Sequence, residues 1–184
     1  AALDCAAEGF TAGNILRFAK AAAVGIDPEA AAELENYCYV WNVGRRDWQK
    51  PFENHPGGFQ AEFSPEDTAR LERINGVRSR VILPLERFRR ELREADGPGF
   101  STAVYHLLES IGAADHIEAL CRAAEPEEER LRQLEEQDRV WEELMNLLDT
   151  LAAAIGPRRV ALRGLASLVV CGAPGSPLWG MHPT

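Results

Sequence analysis

The sequence predicts an all-α protein: an irregular multi-helix bundle of about seven helices, two of them long. Three observations carry this. Apolar residues recur at alternating spacings of three and four along two extended stretches, Pro65 to Ala95 and Glu127 to Ile155. Alanine, leucine, glutamate and arginine dominate the composition, as they do in helical proteins. No stretch shows the two-residue alternation of a half-buried strand, and no internal repeat is present. With 184 residues the chain can bury a real core, so residues 1–184 are read as a single helical domain.

The elements follow in order. Phe10 to Ala23 reads as a first helix with Phe10, Ile15, Phe18 and Ala22 on its apolar face, broken by Val24-Gly25-Ile26. Asp27-Pro28 supplies a capping residue and then a proline at the first helical position, opening a helix to about Asn42. Val43 to Phe63 has no period, carries two prolines, three glycines and four aromatics, and is too long for a simple connection. The aromatics Trp48, Phe52, Phe59 and Phe63 predict an ordered loop. Ser64-Pro65-Glu66-Asp67 is a capping-box-like start, and Asp96-Gly97-Pro98-Gly99 is read as the stop of that helix. Its seam runs Leu71, Ile74, Arg78, Val81, Leu85, Phe88 and Leu92, in register across Pro84, where a kink is expected. Short helices over Ser101 to Ile111 and Ala114 to Ala124 come next, the second with Ile117, Leu120 and Cys121 inward.

The long helix Glu127 to Ile155 opens on three glutamates, which suit the positive end of a helix dipole, and closes on Gly156-Pro157. Its seam of Leu131, Leu134, Trp141, Met145, Leu148, Ala152 and Ile155 is widened in the second half by Val140, Leu144, Leu147 and Leu151. A broad stripe predicts several partners, so this helix is expected to be the centre of the bundle, with a core on Trp141, Leu144, Leu148, Leu85, Phe88 and Tyr37. A last helix is expected over Val160 to Cys171, followed by a Gly/Pro-rich tail with Trp179 and Met181.

A formal net charge of −9 argues against strong autonomous binding to nucleic acid or to an anionic membrane. No apolar run approaches the ~20 residues of a membrane span. Cys5, Cys38, Cys121 and Cys171 are scattered, which predicts free thiols. His55, His106, His116 and His182 lack metal-ligand spacing, so no metal site is expected. Phosphate-loop, Gly-x-Ser-x-Gly, His-Glu-x-x-His and Rossmann patterns are absent. No catalytic residue is singled out, and neither ATPase nor nuclease activity is expected of the segment alone. The first residue is Ala, as in a piece excised from something longer.

Three features remain. Arg78 stands at a seam position, either as a stem with its charge at the rim or as half of a buried ion pair. Asp138 is its counterpart on the second long helix, Trp141 is read as a core residue, and Trp48 is either a packing anchor or a base-stacking platform. Arg73, Arg80 and Arg87 recur every seven residues and therefore share one face at steps of about 10 Å. They form either a solvated stripe partly balanced by Glu72 and Glu86 or a phosphate-contacting edge. Arg45, Arg46 and Lys50 surround Trp48 at the start of the irregular loop and are the other candidate DNA-binding residues.

Leu34-Glu35-Asn36-Tyr37 followed by Trp48 resembles a stretch of the B subunit of the bacterial ATP-dependent helicase/deoxyribonuclease AddAB, called RexB in some bacteria. Ile15-Leu16-Arg17-Phe18-Ala19-Lys20 looks like the family's preceding helix. Ile74-Asn75-x-x-Arg78 with Pro84-Leu85, and Val140-Trp141 with Leu147-Leu148-Asp149, look like its two long helices. The likeness covers nearly the whole chain in order. Two turns depart from it: Asn42-Val43-Gly44-Arg45 stands for the family's Gly-Ile-x-Gly, and Lys20-Ala21-Ala22-Ala23 replaces its Lys-Thr-Gly.

The resemblance implies an internal helical segment, the 2B-like insertion of a helicase-like subunit. The parent processes double-strand breaks for recombinational repair in the bacterial cytoplasm, with an AddA-type helicase-nuclease partner. ATP with Mg and a 4Fe-4S cluster are implied elsewhere in the parent, with no cofactor in this segment. The segment would be a structural, DNA-guiding subdomain. The alternative is a protein–protein interaction module that docks the partner without touching DNA.

Overall fold

The computed structural model describes residues 1–59 and 62–159. Among them are seven α-helices and no strand: α1 Ala2–Glu8, α2 Ala12–Ala19, α3 Pro28–Val40, α4 Pro65–Leu92, α5 Gly97–Ser110, α6 Ala113–Arg122 and α7 Glu127–Ile155. The all-α bundle with two long helices is thus what the chain forms. The helix expected over Val160 to Cys171, and the tail beyond it, lie outside the described residues.

The caps explain most boundaries. The Asp27 carboxylate accepts from the backbone N–H groups of Glu29 and Ala30 at 2.9 and 3.0 Å and starts α3. The Ser64 hydroxyl accepts from Asp67 N–H while the Asp67 carboxylate accepts from Ser64 N–H, so α4 opens on a true capping box. α4 then runs through Pro84 without interruption. α3 closes with Asn42 in the left-handed region (φ 46) and Val43 N–H donating to Cys38 C=O at 3.0 Å, a Schellman closure. Asparagine tolerates that conformation best after glycine, so Asn42 can close the turn.

Two boundaries differ from expectation. The first helix is not continuous from Phe10. α1 precedes it, Gly9 turns the chain at φ 94, and Thr11 caps α2 by accepting from Asn14 N–H. A seven-residue helix spans two turns and is too short to display a period. Likewise, α5 starts at Gly97, not Ser101. Asp96 does end the preceding segment, but its carboxylate also accepts from Gly99 N–H at 2.9 Å and opens the next helix, with Pro98 in the first turn.

The core is centred on α4 and not on α7. Ile74, Val81, Ile82, Leu85, Phe88 and Leu92 of α4 are buried against α1, α2, α3, the irregular loop and α5. α7 touches only α5 and α6 at any length, and Leu148 is its single buried residue. Of the expected central residues, Leu85, Phe88, Tyr37 and Leu148 are buried, whereas Trp141 and Leu144 are half-buried at the edge. Val140, Leu131 and Leu120 are exposed. A broad apolar stripe reports what a helix can bury, and on α7 only part of it is covered.

Leu148 anchors α7 to the core, and its carbonyl accepts from the Ser101 hydroxyl at 2.7 Å. Leu148→Ala is expected to cost ~2–5 kcal/mol in urea unfolding. A loss below about half a kcal/mol would mean that this contact does not hold α7 to the bundle.

Candidate nucleic-acid interface

Over its described residues the irregular segment after α3 is an ordered loop, latched to α3 and α4 by polar contacts that the helices supply. Phe52 is bracketed by the Asn75 side-chain amide, which accepts from Phe52 N–H at 2.7 Å and donates to Phe52 C=O at 2.9 Å. The amide thus pairs with the loop backbone as a neighbouring strand would. The Tyr37 hydroxyl does the same for Asn54, accepting from its N–H at 3.0 Å and donating to its C=O at 3.3 Å. The Trp41 indole N–H donates to His55 C=O at 3.0 Å. Between these latches Phe52 stacks on Tyr37 with centroids 4.7 Å apart, and Trp48 meets Phe52 edge-on at 5.6 Å. Trp48 is completely enclosed, with no acceptor for its indole N–H among the described residues.

Arg78 completes the latch. It is 8 % exposed, and its Nη1 donates to the Trp48 carbonyl. Nε reaches Asn75 Oδ1 at 3.3 Å and Nη2 reaches Ser79 Oγ at 3.2 Å, with the guanidinium 5.8 Å from the Phe52 ring. Burial pulls its pKa below the usual arginine value. The buried ion pair considered for Arg78 is not formed among the described residues. Asp138 is exposed on α7, and the contact that fixes Arg78 is to backbone. Trp141 lies at the rim between α5, α6 and α7. At the loop's far end His55 Nε2 comes within 3.4 Å of Asp67 Oδ2 without the alignment of a hydrogen bond. The Ser64 hydroxyl and amide, with His55 beside them, hold the Asp67 carboxyl below the usual carboxylate range.

The candidate cations fall into two groups. Arg45, Arg46 and Lys50 are exposed on the latched loop, and no carboxylate lies within ion-pair distance of them among the described residues. Arg73, Arg80 and Arg87 also reach the surface, on α4, but each is engaged. Arg73 lies 3.9 Å from Glu33, Arg80 donates to Gly25 C=O at 3.3 Å, and Arg87 pairs with Glu91 at 2.8 Å. Their partners are therefore not the expected Glu72 and Glu86. Arg80 and Arg87 border a cleft of about 470 Å³ whose floor is Val24, Leu83, Pro84 and Ile111.

Charge is unevenly spread. α7 carries nine acidic residues and three arginines. α5 lies between α7 and α4, so this negative surface is set apart from the loop.

Burial pushes the thiols of Cys5 and Cys38 up to about 11 and about 12, which leaves them protonated and unreactive near neutral pH. Among the described residues no three His, Cys, Asp or Glu side chains gather where they could hold a metal ion. Cys171 and His182 lie outside the described residues. No described helix is long and apolar enough to cross a membrane.

Asn75 is the residue whose role the sequence least betrays, because a polar residue beside a helix seam reads as surface. No family model matches the chain. Three curated relatives carry one and the same name, that of the B subunit of an ATP-dependent helicase/deoxyribonuclease. The protein from Moorella thermoacetica is 28 % identical over 176 residues, covering 94 % of this chain and 15 % of the relative. That from Symbiobacterium thermophilum is 24 % identical across 100 % of this chain and 16 % of the relative. That from Bacillus thuringiensis is 31 % identical over 144 residues, 73 % of this chain and 12 % of the relative. The chain thus spans well under a fifth of the length of the relatives it matches.

Proposed function

We propose, for a chain homologous along most of its length to one stretch of the ATP-dependent helicase/deoxyribonuclease B subunits, the role of a structural, DNA-guiding subdomain within the larger protein. That protein would work in a complex that processes double-strand breaks for recombinational repair, with an AddA-type partner. ATP, Mg and any 4Fe-4S cluster would be held outside this segment. The observation that carries the reading is the latched loop. Its backbone is tied down at Trp48, Phe52, Asn54 and His55, while Arg45, Arg46 and Lys50 are left free of carboxylates among the described residues. Cations carried on an ordered backbone are what a phosphate chain can use, because the loop itself need not be ordered on contact. Arg73, Arg80 and Arg87 form a separate row on α4, a second candidate set of phosphate contacts whose present partners are Glu33, Gly25 and Glu91. The net charge of −9 means that other parts of the longer protein supply most of the affinity.

A second reading rests on a different observation. Between α6 and α7 an open trough of about 420 Å³ is lined by Ile117, Cys121, Val140 and Trp141, with Leu120 and Leu131 exposed nearby. That surface suits a protein partner, and a module docking through it would need no DNA.

The two readings separate in a salt titration of the full-length protein in its complex. Replacing Arg45, Arg46, Lys50, Arg73, Arg80 and Arg87 together by Gln should weaken binding about equally for different sequences. The slope of log K against log salt should flatten by ~0.9 per lost contact on duplex DNA. An unchanged slope would remove the DNA reading and leave the trough as the functional surface.

A further inference from the structure

We infer that the turn between α1 and α2 seats a second set of arginines, Arg45 and Arg89 with Arg93 beside them, that forms a phosphate-binding edge for a nucleic-acid backbone. This deepens the DNA-guiding reading and rests on it. The seat is Gly9-Phe10. Gly9 has φ 94, and a Cβ built there would lie 3.6 Å from Arg45 Nη1 and 3.8 Å from its Cδ. The Arg45 side chain therefore lies along the bare Cα of the glycine. One residue on, the Arg89 guanidinium sits over the Phe10 ring, 5.2 Å from its centroid. The two guanidinium groups are thus held against adjacent residues of one turn, one from the loop and one from α4. Arg93 follows Arg89 by one helical turn, about 6 Å along α4, and is exposed, as is Arg90.

None of these four arginines lies within ion-pair distance of a carboxylate among the described residues. The acids nearby are engaged elsewhere. Asp4 pairs with Arg17 at 3.3 Å, Glu8 accepts from the Asn14 amide at 3.3 Å, and Asp47 accepts from Gly44 N–H at 2.6 Å. On α4, Glu91 holds Arg87 at 2.8 Å and His106 at 3.2 Å, and just past the helix Glu94 lies 3.7 Å from Arg159. Glu86 remains, and it forms no ion pair with them. Arginines in the last turn of α4 also complement the negative end of its dipole. A dipole leaves the donors of each guanidinium fork unused, however, and an arginine lying on an aromatic ring keeps its edge free for a phosphate.

The test uses the full-length protein in its complex and two probes, a duplex and a single strand of the same sequence. Neither Arg89 nor Arg93 belongs to the six cations tested above, so the Arg89→Gln/Arg93→Gln variant reads the edge alone. The salt slope should fall by ~1.8 on duplex or ~1.4 on single strands for two lost contacts, and the probe whose slope falls by its own full amount is the one that the edge holds. Arg89→Lys/Arg93→Lys should keep most of the slope, because each lysine retains its positive charge. An unchanged slope in the Gln variant overturns the edge. If the six-residue variant flattens the slope while this one does not, DNA guidance stands without the edge, and if neither does, both fall. Should the double Gln variant unfold, Arg93→Gln alone decides, since Arg93 is exposed: a slope lower by ~0.9 on duplex or ~0.7 on single strands keeps the edge, and an unchanged slope overturns it.

Discussion

Replacing Arg78 by methionine is expected to cost the protein ~2–4 kcal/mol in urea unfolding, because it leaves a buried carbonyl without its donor. The Trp48 carbonyl accepts from the Arg78 guanidinium inside the latch, and methionine fills most of the volume while offering no N–H. The Asn75 amide would lose the arginine that lies against its Oδ1, so the bracket on Phe52 loosens as well. Removing a desolvated charge returns some stability, since burial already disfavours the charged form. The orphaned backbone oxygen and the loss of three directed contacts outweigh that return. Lysine should be intermediate, because one ammonium cannot span the Trp48 carbonyl, Asn75 and Ser79 as the planar fork does. Trp48 fluorescence should shift toward that of a wetter indole in both variants. A methionine variant within half a kcal/mol of the unaltered protein, with unchanged fluorescence, would show that the loop is held by its aromatics alone.

Gly97→Val should be at least as damaging, at ~3 kcal/mol or more. A Cβ at Gly97 would collide with the carbonyl oxygen of Ala152 and come within 3.0 Å of Gly156 N. Both obstacles are backbone of α7 and its cap, so neither can rotate aside. Gly97 N–H also donates to Gly156 C=O at 2.9 Å, which ties the start of α5 to the end of α7 at this spot. The control is Gly76→Ala in the middle of α4, where a Cβ meets nothing within 4 Å. There the loss of chain entropy in the unfolded state should make alanine stabilising by ~0.5–1 kcal/mol. Opposite signs at two helical glycines, read by thermal unfolding, are the expected outcome. A neutral Gly97→Val would mean that the two helices do not meet as closely as described.

The parts of the fold that are legible in the sequence are those written in local chemistry. Ser64 and Asp67 mark the start of α4, and Gly156 the end of α7, because caps act over three or four residues. Asp96 is ambiguous for the same reason: one carboxylate can follow a helix and open the next. What periodicity cannot tell is which stripe finds partners. α4 and α7 have similar seams, yet Ile74 and Val81 are enclosed while Leu131 and Val140 face solvent. The candidate site divides in the same way. Arg78 is visible as a cation in an apolar seam, but its partner is a main-chain oxygen thirty residues away, which no side-chain pattern announces. The seven-residue spacing of Arg73, Arg80 and Arg87 places them on one side of α4. Glu33 and Gly25 come to that side only through tertiary packing, whereas Glu91, four residues after Arg87, could be anticipated.

The junction of Gly97 with Gly156 has a mechanical consequence. α7 is clamped near its C-terminal end by that junction and by the Ser101 hydroxyl on Leu148, and α6 is held at its own start, where the His116 ring lies 3.3 Å from the Ala23 carbonyl. From Trp141, which still borders α5, back to Glu127 is fourteen residues of helix, an arm of about 21 Å braced by α6 among the described elements. A tilt of ten degrees at the clamp would carry the tip about 4 Å over such an arm. The α6–α7 hairpin is therefore a lever with a short, stiff fulcrum, and a load placed on its acidic tip is delivered, amplified in force, to the α5 helix that leans on α4.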